Sequence, residues 1–261
     1  VLDQVRRLVE AGHPEVVLTG IDMGHYGADL TPRTTLAALL RAVVDIAGLR
    51  WLRLSSILPA YFTPELVEIV TGSDRVAPHL HIPVQSGSPG VLRRMRRPYT
   101  VATYRRLVEA LAAAIPGLGL GTDLIAGFPG ESEEDFAQTV RLVGELPFTY
   151  LHVFPYSDRR GTEAVGLGGH LEPKVVADRS RELRRLAATK SLAFRRNLAG
   201  GRQEVLVLEQ RERSRGRLLG LTGNYVEVAF DGPDSLMRRL VDVRVTAASG
   251  ERTFAELLSV A

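Results

Sequence analysis

The sequence predicts an α/β fold: a partial parallel (βα) barrel followed by a small all-β barrel. Three observations carry this. From residue 1 to about 198, short apolar runs alternate with amphipathic helical stretches, the pattern of a parallel sheet with helices outside. The texture changes at Ala199-Gly200-Gly201, a linker-like stretch. Beyond it, about 60 residues hold short strand-like runs separated by turn residues. The predicted boundaries are therefore 1–198 and 199–261.

The elements follow in order. Leu2, Val5, Leu8 and Val9 fall at helical spacing in a helix near 1–12,. Val16–Leu18 reads as the first strand and Trp51–Ser55 as the second, with helices near 34–47 and 63–71. Thr63-Pro64-Glu65 sets a cap before Pro at the first helical position,. The third strand, His79–Val84, leads into helices near 87–96 and 101–114, the latter capped by Thr100. Gly119–Ile125 is the fourth strand. Ser132, with Asp135 three residues on, resembles a capping box with an acidic first turn for a helix near 132–146,. Tyr150–Phe154 is the fifth strand, and 174–197 reads as one long basic helix. Five strands are one short of a six-stranded partial barrel, and the missing strand is expected before Val1. A start inside a helix, without Met, reads as a fragment. In the tail, Glu204–Leu208, Arg217–Leu221, Tyr225–Phe230 and Leu240–Thr246 read as strands, with turns at Gly223-Asn224 and Asp231-Gly232-Pro233,.

Composition narrows the class. The 261 residues are 45% hydrophobic, enough for one or two domains. No apolar run approaches the roughly 18 residues of a membrane span, and the first residues do not read as a signal peptide. There is no cysteine, which excludes disulfides and any thiolate-held cluster within this chain. A cytoplasmic protein without a membrane partner is expected. Net charge is +3, yet the bases are nearly all Arg, which suits planar contact with phosphate. A GC-rich genome would give the same bias.

In parallel α/β folds, ligands bind at the carboxyl ends of the strands. Those ends here are Thr19-Gly20-Ile21-Asp22, Ser55-Ser56, Gln85-Ser86-Gly87-Ser88, Gly127 after a strand carrying Asp123, and Phe154-Pro155-Tyr156-Ser157. Such a rim suits a ligand with an amine, a carboxylate, a ribose and a flat base.

VLTGIDMGHYG, RLSSILP, HLHIPVQSGS followed by MRRPYT, TDLIAGFPGESEEDF and LHVFPYSDRRGT resemble, in order and spacing, the radical-SAM domain of the methylthiotransferase family. The resemblance runs from Val1 to about Asn197, and the tail from Gly200 to about Val260 resembles the TRAM domain that follows it. Thr19-Gly20-Ile21 and Leu151–Ser157 look most like the branch that acts on threonylcarbamoyladenosine in tRNA. Other branches act on isopentenyladenosine in tRNA or on a ribosomal-protein aspartate.

The resemblance implies a mechanism. A CxxxCxxC loop holds a [4Fe–4S] cluster whose open iron binds S-adenosylmethionine. An electron from a donor such as flavodoxin or ferredoxin cleaves it to methionine and a 5′-deoxyadenosyl radical. A second [4Fe–4S] cluster, in an N-terminal domain, supplies the sulfur. Neither cluster's cysteines occur in this chain, so the chain alone is expected to be inactive. Carried onto this sequence, Thr19 and Gly20 meet the methionine amino end. Ser55 stands on the same rim, and Gln85, Ser86 and Asp123 lie near the ribose and carboxylate. Gly127 and the Val153–Phe154 backbone flank the adenine. The RNA-contacting residues implied are Arg94, Arg96 and Arg97 on the barrel, and Arg213, Arg215, Arg217 and Tyr225 on the tail.

The remaining constellations have plainer readings. His79-x-His81 sets two imidazoles on one strand face, but His79 begins its strand instead of ending it. Buried, hydrogen-bonded core histidines are expected, with no metal ligand. His25 reads as a solvated loop residue. Arg93 to Arg106 is the densest basic run, with no acid in it; it is either a phosphate patch or a solvated helix face. The tail holds nine Arg and nine acids, so RNA binding there rests on the resemblance plus the local group Arg211, Arg213, Arg215 and Arg217. Tyr225 either stacks on a base or packs in the barrel. A cluster-free RNA-binding protein is the rival from another class.

Overall fold

The computed structural model describes residues 1–250 and 252–260. Seven helices of six residues or more and five strands form the first part of the described chain. The strands are β1 (Glu15–Leu18), β2 (Trp51–Leu54), β3 (His79–His81), β4 (Gly119–Ala126) and β5 (Tyr150–Pro155). The helices are α1 (Leu2–Glu10), α2 (Leu36–Val44), α3 (Pro64–Gly72), α4 (Pro89–Arg94), α5 (Val101–Ala114), α6 (Glu133–Glu145) and α7 (Pro173–Asn197). The predicted caps form: Thr63 accepts from Leu66 N–H, and Thr100 and Ser132 make capping boxes with Thr103 and Asp135. Each satisfies backbone donors that the helix start leaves unpaired.

All strand pairs in this part are parallel: β1 with β2, β3 with β4, β4 with β5. A bridge between Leu52 and Val76 links β2 to the segment entering β3. The result is the open, partial (βα) barrel that the sequence predicts. The outward faces of the strands carry Leu52, Leu54, Leu80, Ile82, Leu120 and Leu124, which pack with Leu40, Leu66, Leu111 and Phe136 of the helices in one core.

The third strand is shorter than expected. Pro83 has no N–H to give to a ladder, and Val84 N–H turns to the Thr122 hydroxyl. Parallel pairing resumes at Gln85, bridged to Leu124. The detour places Gln85 at a positive φ of 67°, turned to the carboxyl end of the sheet.

The tail forms a closed barrel of β6 (Arg202–Arg211), β7 (Leu218–Thr222), β8 (Glu227–Phe230), β9 (Leu240–Ser249) and β10 (Arg252–Val260), in the order β10-β8-β7-β6-β9. Alternate residues fill its interior: Val205, Val207, Leu218, Val228, Phe230, Val241, Val243 and Val245 are buried. That is the period-2 pattern of a strand with one buried face. β10 was not anticipated, because Gly250 turns the chain immediately after β9 without a Pro or Asn-Gly signal. No helix among the described residues is long and apolar enough to cross a membrane.

The parts meet at the end of α7 and beside the turn between β7 and β8. The last turn of α7 meets β10, where Arg195 donates to the Arg252 carbonyl at 2.9 Å. The turn between β7 and β8 meets the amino ends of the parallel strands. There Arg53 donates to the carbonyls of Gly223 and Thr222 at 2.9 and 3.2 Å, and Arg50 pairs with Glu204 at 2.8 Å. Several bases of α7 face the protein: Arg179 pairs with Glu131, Arg184 donates to Val153 O and Lys190 to Gly144 O.

Candidate functional site

Because side chains alternate along a strand, every second residue of the parallel strands points into the bore. From amino to carboxyl ends these include Arg53 of β2, His79 and His81 of β3, Gly119, Gly121, Asp123 and Ile125 of β4, and Tyr150, His152 and Phe154 of β5. The register sets Gly121 beside Tyr150, Asp123 beside His152 and Ile125 beside Phe154. The bore is polar in its lower and middle layers, whereas the opposite faces of the same strands are mostly apolar, with the buried Thr122 an exception.

At the lower end, Tyr225 stacks on His79 with ring centroids 4.2 Å apart. The two glycines of β4 make room. A Cβ on Gly119 would lie 2.1 Å from the Asn224 carbonyl oxygen, and one on Gly121 would lie 2.0 Å from the Tyr150 ring. His79 Nε2 shares a hydrogen bond with the Tyr150 hydroxyl at 2.8 Å. Burial, with the nearby Arg53 charge, lowers the His79 pKa to about 3. Arg53 is itself neutralised by the buried Glu15, with a bidentate contact at 2.8 and 3.1 Å.

In the middle layer, His81 Nε2 lies 3.1 Å from Asp123 Oδ1, and His152 Nδ1 lies 3.5 Å from the same oxygen. His81 Nδ1 is 2.6 Å from the Ser56 hydroxyl.

At the upper end, the carboxyl ends of β3, β4 and β5 open on a cavity of about 730 Å³. Gln85, Asp123, Ile125, Phe154, Arg94, Arg96 and Arg97 line it. The three arginines differ. Arg94 is held by the Gly130 carbonyl and Asp135, and Arg96 pairs with Glu163 at the surface. Arg97 has a buried Nε without a partner. An unpaired buried donor costs about 1–3 kcal/mol.

A second cavity of about 570 Å³ lies beside the first, under α7, and includes Gly127, Tyr156 and Ser180. Gly127 has φ of 79°, and its N–H donates to Glu131 Oε2 at 2.8 Å. Glu131 is buried and also takes Arg179 at 2.7 Å. This pair fixes the turn after β4.

Gln85, Asp123, Phe154 and the three arginines of the expected set thus meet at one cavity, with Gly127 at its neighbour. The others do not reach it. Ser86 is fully buried, with its hydroxyl 3.2 Å from that of Thr139. Ser55 donates to Met23 Sδ. Thr19 and Gly20 lie on the exposed end of β1, outside the lining of either cavity. Val153 packs on the core while its carbonyl receives Arg184. In the tail, Arg213 and Arg215 sit in the β6–β7 turn, and Arg217 lies 5.3 Å over the Phe254 ring. Tyr225 is in the bore, not in the interior of the small barrel. His25 bonds Asp22 and Tyr61 at the surface. Sequence reasoning passed over Arg53 and Glu131. An Arg at an inward strand position and a Glu directly after Phe-Pro-Gly were the available signals.

An open parallel sheet with a polar bore and a cavity at the strand ends defines an α/β enzyme scaffold of the partial-barrel class. Residues 1–143 match the family model of the Radical SAM superfamily. The chain belongs to that superfamily, whose members use S-adenosylmethionine and a [4Fe–4S] cluster. It is 36% identical over 253 residues to the threonylcarbamoyladenosine tRNA methylthiotransferase MtaB of Bacillus subtilis, covering 95% of this chain and 55% of that protein. It is 41% identical over 248 residues to a tRNA-2-methylthio-N(6)-dimethylallyladenosine synthase of Moorella thermoacetica, covering 95% and 56%. The chain therefore spans about half the length of the curated relatives it matches. Coproporphyrinogen III oxidase of Escherichia coli, a radical SAM enzyme, shares the fold, with a TM-score of 0.55 at 14% identity over 93% of this chain and 59% of that one.

Proposed function

We propose that this chain is the S-adenosylmethionine-binding barrel (1–198) and RNA-contacting tail (199–261) of a tRNA methylthiotransferase. Its substrate is N6-threonylcarbamoyladenosine beside the anticodon, converted to the 2-methylthio form. The observation that carries the substrate is Arg97. Its side chain lines a cavity that also holds Phe154 and Phe128, and the threonylcarbamoyl group ends in a carboxylate. A guanidinium facing a carboxylate is a charge-assisted, geometrically specific pair.

The cavity fits S-adenosylmethionine in kind. Gln85 and Asp123 can bond ribose hydroxyls, and Phe154 is half exposed beside them, a face for a base. Bound there, S-adenosylmethionine supplies the radical chemistry and the methyl group. This chain's residues orient the ligand, and Glu131 holds the Gly127 turn that borders the neighbouring cavity. No thiolate of this chain holds a cluster, since it has no cysteine. tRNA and a reductase such as flavodoxin or ferredoxin are the partners that this reading requires.

The dimethylallyladenosine substrate is the second reading, favoured by the 41% identical relative. Nucleoside analysis of tRNA from a strain lacking the gene separates them. Loss of the 2-methylthio-threonylcarbamoyl nucleoside, restored by the wild-type gene and not by Arg97→Gln, supports the first. Loss of the dimethylallyl form moves the assignment to the second. An unchanged profile sinks both, leaving an RNA-binding protein or a protein-directed methylthiotransferase.

A further inference from the structure

One cluster in the bore has geometry that the proposed reaction uses only through Asp123. His81 Nε2, Asp123 Oδ1 and a His152 nitrogen lie within 4.8 Å of one another. His81 is 7% exposed, and its Nε2 is buried without a hydrogen-bond partner although it lies 3.1 Å from the carboxylate. The nitrogen and oxygen are close but not aligned for a hydrogen bond. That is how two donors look when both face a third body. In a tetrahedral zinc site with bonds of about 2.0–2.1 Å, neighbouring ligand atoms sit about 3.3 Å apart. The two recorded edges are 3.1 and 3.5 Å.

The surroundings agree. The other His81 nitrogen is held by the Ser56 hydroxyl at 2.6 Å, the kind of outer bond that fixes the tautomer and aim of a metal-binding imidazole. Asp123 borders the upper cavity, and the His152 side chain is 55% exposed, so a fourth position is open to a water or a ligand. In the layer below, the Arg53 charge is paired with Glu15.

We propose that His81, Asp123 and His152 form a divalent-metal site in the bore, best suited to zinc, with three protein ligands and one open position. It binds through one carboxylate oxygen of Asp123, which leaves the other for a hydroxyl.

Cobalt(II) titration of the full chain tests this, because cobalt reports low-coordinate nitrogen and oxygen ligation by d–d absorption and the chain has no thiolate to confuse it. One equivalent should bind with intense d–d bands and be displaced by zinc. His152→Ala and Asp123→Asn should weaken binding at least 100-fold, and Ser56→Ala about 10–100-fold. A His25→Ala/His170→Ala variant should bind as the wild type does. Far-UV circular dichroism and urea unfolding verify that each variant is folded; half-exposed His152 keeps the test valid should Asp123→Asn unfold. No bands at one equivalent would overturn the proposal. So would bands that survive His152→Ala, or that vanish only with the surface histidines.

Discussion

Tyr225 lies over His79 with the rings 20° from parallel and 4.2 Å apart. One residue thus joins the small β-barrel to the first residue of β3. The Arg53 guanidinium sits 5.3 Å from the same Tyr ring. Stacking and cation–π contacts of this kind contribute about 0.5–1.5 kcal/mol each. Tyr225→Ala should therefore lower stability by about 1–2 kcal/mol, read as a shifted urea midpoint. An unmoved midpoint would make the ring a bystander, free for RNA.

Gly119 should tolerate no side chain. Its Cβ would meet the Asn224 backbone oxygen at 2.1 Å, and backbone cannot swing aside as a flexible side chain can. Gly119→Ala should cost about 1–3 kcal/mol. Gly144 is the control: it lies in α6 with nothing within 4 Å of an added Cβ. Gly144→Ala should stabilise by about 0.5–1 kcal/mol. Thermal melts of the two variants should move in opposite directions.

His79 gives the fold a dependence on acid. In the folded chain its pKa is lowered to about 3, mainly by burial, against about 6.5 in an unfolded chain. Between those values the unfolded state binds the proton and the folded state does not. Stability from this residue is complete above about pH 6.5 and falls as pH drops toward 3, by up to ~1.4 kcal/mol per unit. Urea unfolding at pH 7, 5.5 and 4.5 should show a steeper loss for the wild type than for His79→Gln. Parallel slopes would refute the assignment.

Arg179 and Glu131 form a pair whose side chains are 6% and 1% exposed. Arg179→Met leaves the Glu131 charge buried without its partner, an effect of about 3–5 kcal/mol. Adding Glu131→Gln should recover part of the loss. A double variant no better than the single one would mean that the Gly127 turn, not the charge, is what Glu131 protects.

Calorimetry on the isolated chain should find S-adenosylmethionine binding weak or undetectable. The resemblance assigns the methionine end of the ligand to an iron for which this chain has no thiolate. Tight binding would show that the rim residues suffice.

Much of the fold was legible. The βα alternation and the capping signals at Thr63, Thr100 and Ser132 each rest on local chemistry, and each reads correctly within a few residues. The site was legible only in part. Gln85, Asp123 and Phe154 could be placed because strand ends in a parallel sheet share one rim. Ser86 could not, because only the tertiary approach of α6 turns its hydroxyl to Thr139. His81 was paired in the sequence with His79, its neighbour along the strand. Its spatial partners, Asp123 and His152, come from two other strands, and only the register brings them level. Tyr225 was open between two roles, and neither was the bore of the preceding sheet.

The turn that carries Tyr225 also sets a distance. It lies at one end of β7, and the turn with Arg213 and Arg215 lies at the other, five residues away. The rim cavity lies at the far end of β4, eight residues long. At ~3.3 Å per residue the two strands laid end to end would measure roughly 43 Å, which is an upper limit on that separation. If RNA contacts the tail as proposed, one molecule touching both must span that separation. An oligonucleotide of a few residues could fill the cavity but would never feel those arginines. On the proposed reading, shortening the RNA is then a ruler laid along the protein, and the length at which salt dependence drops would report the separation of the two surfaces.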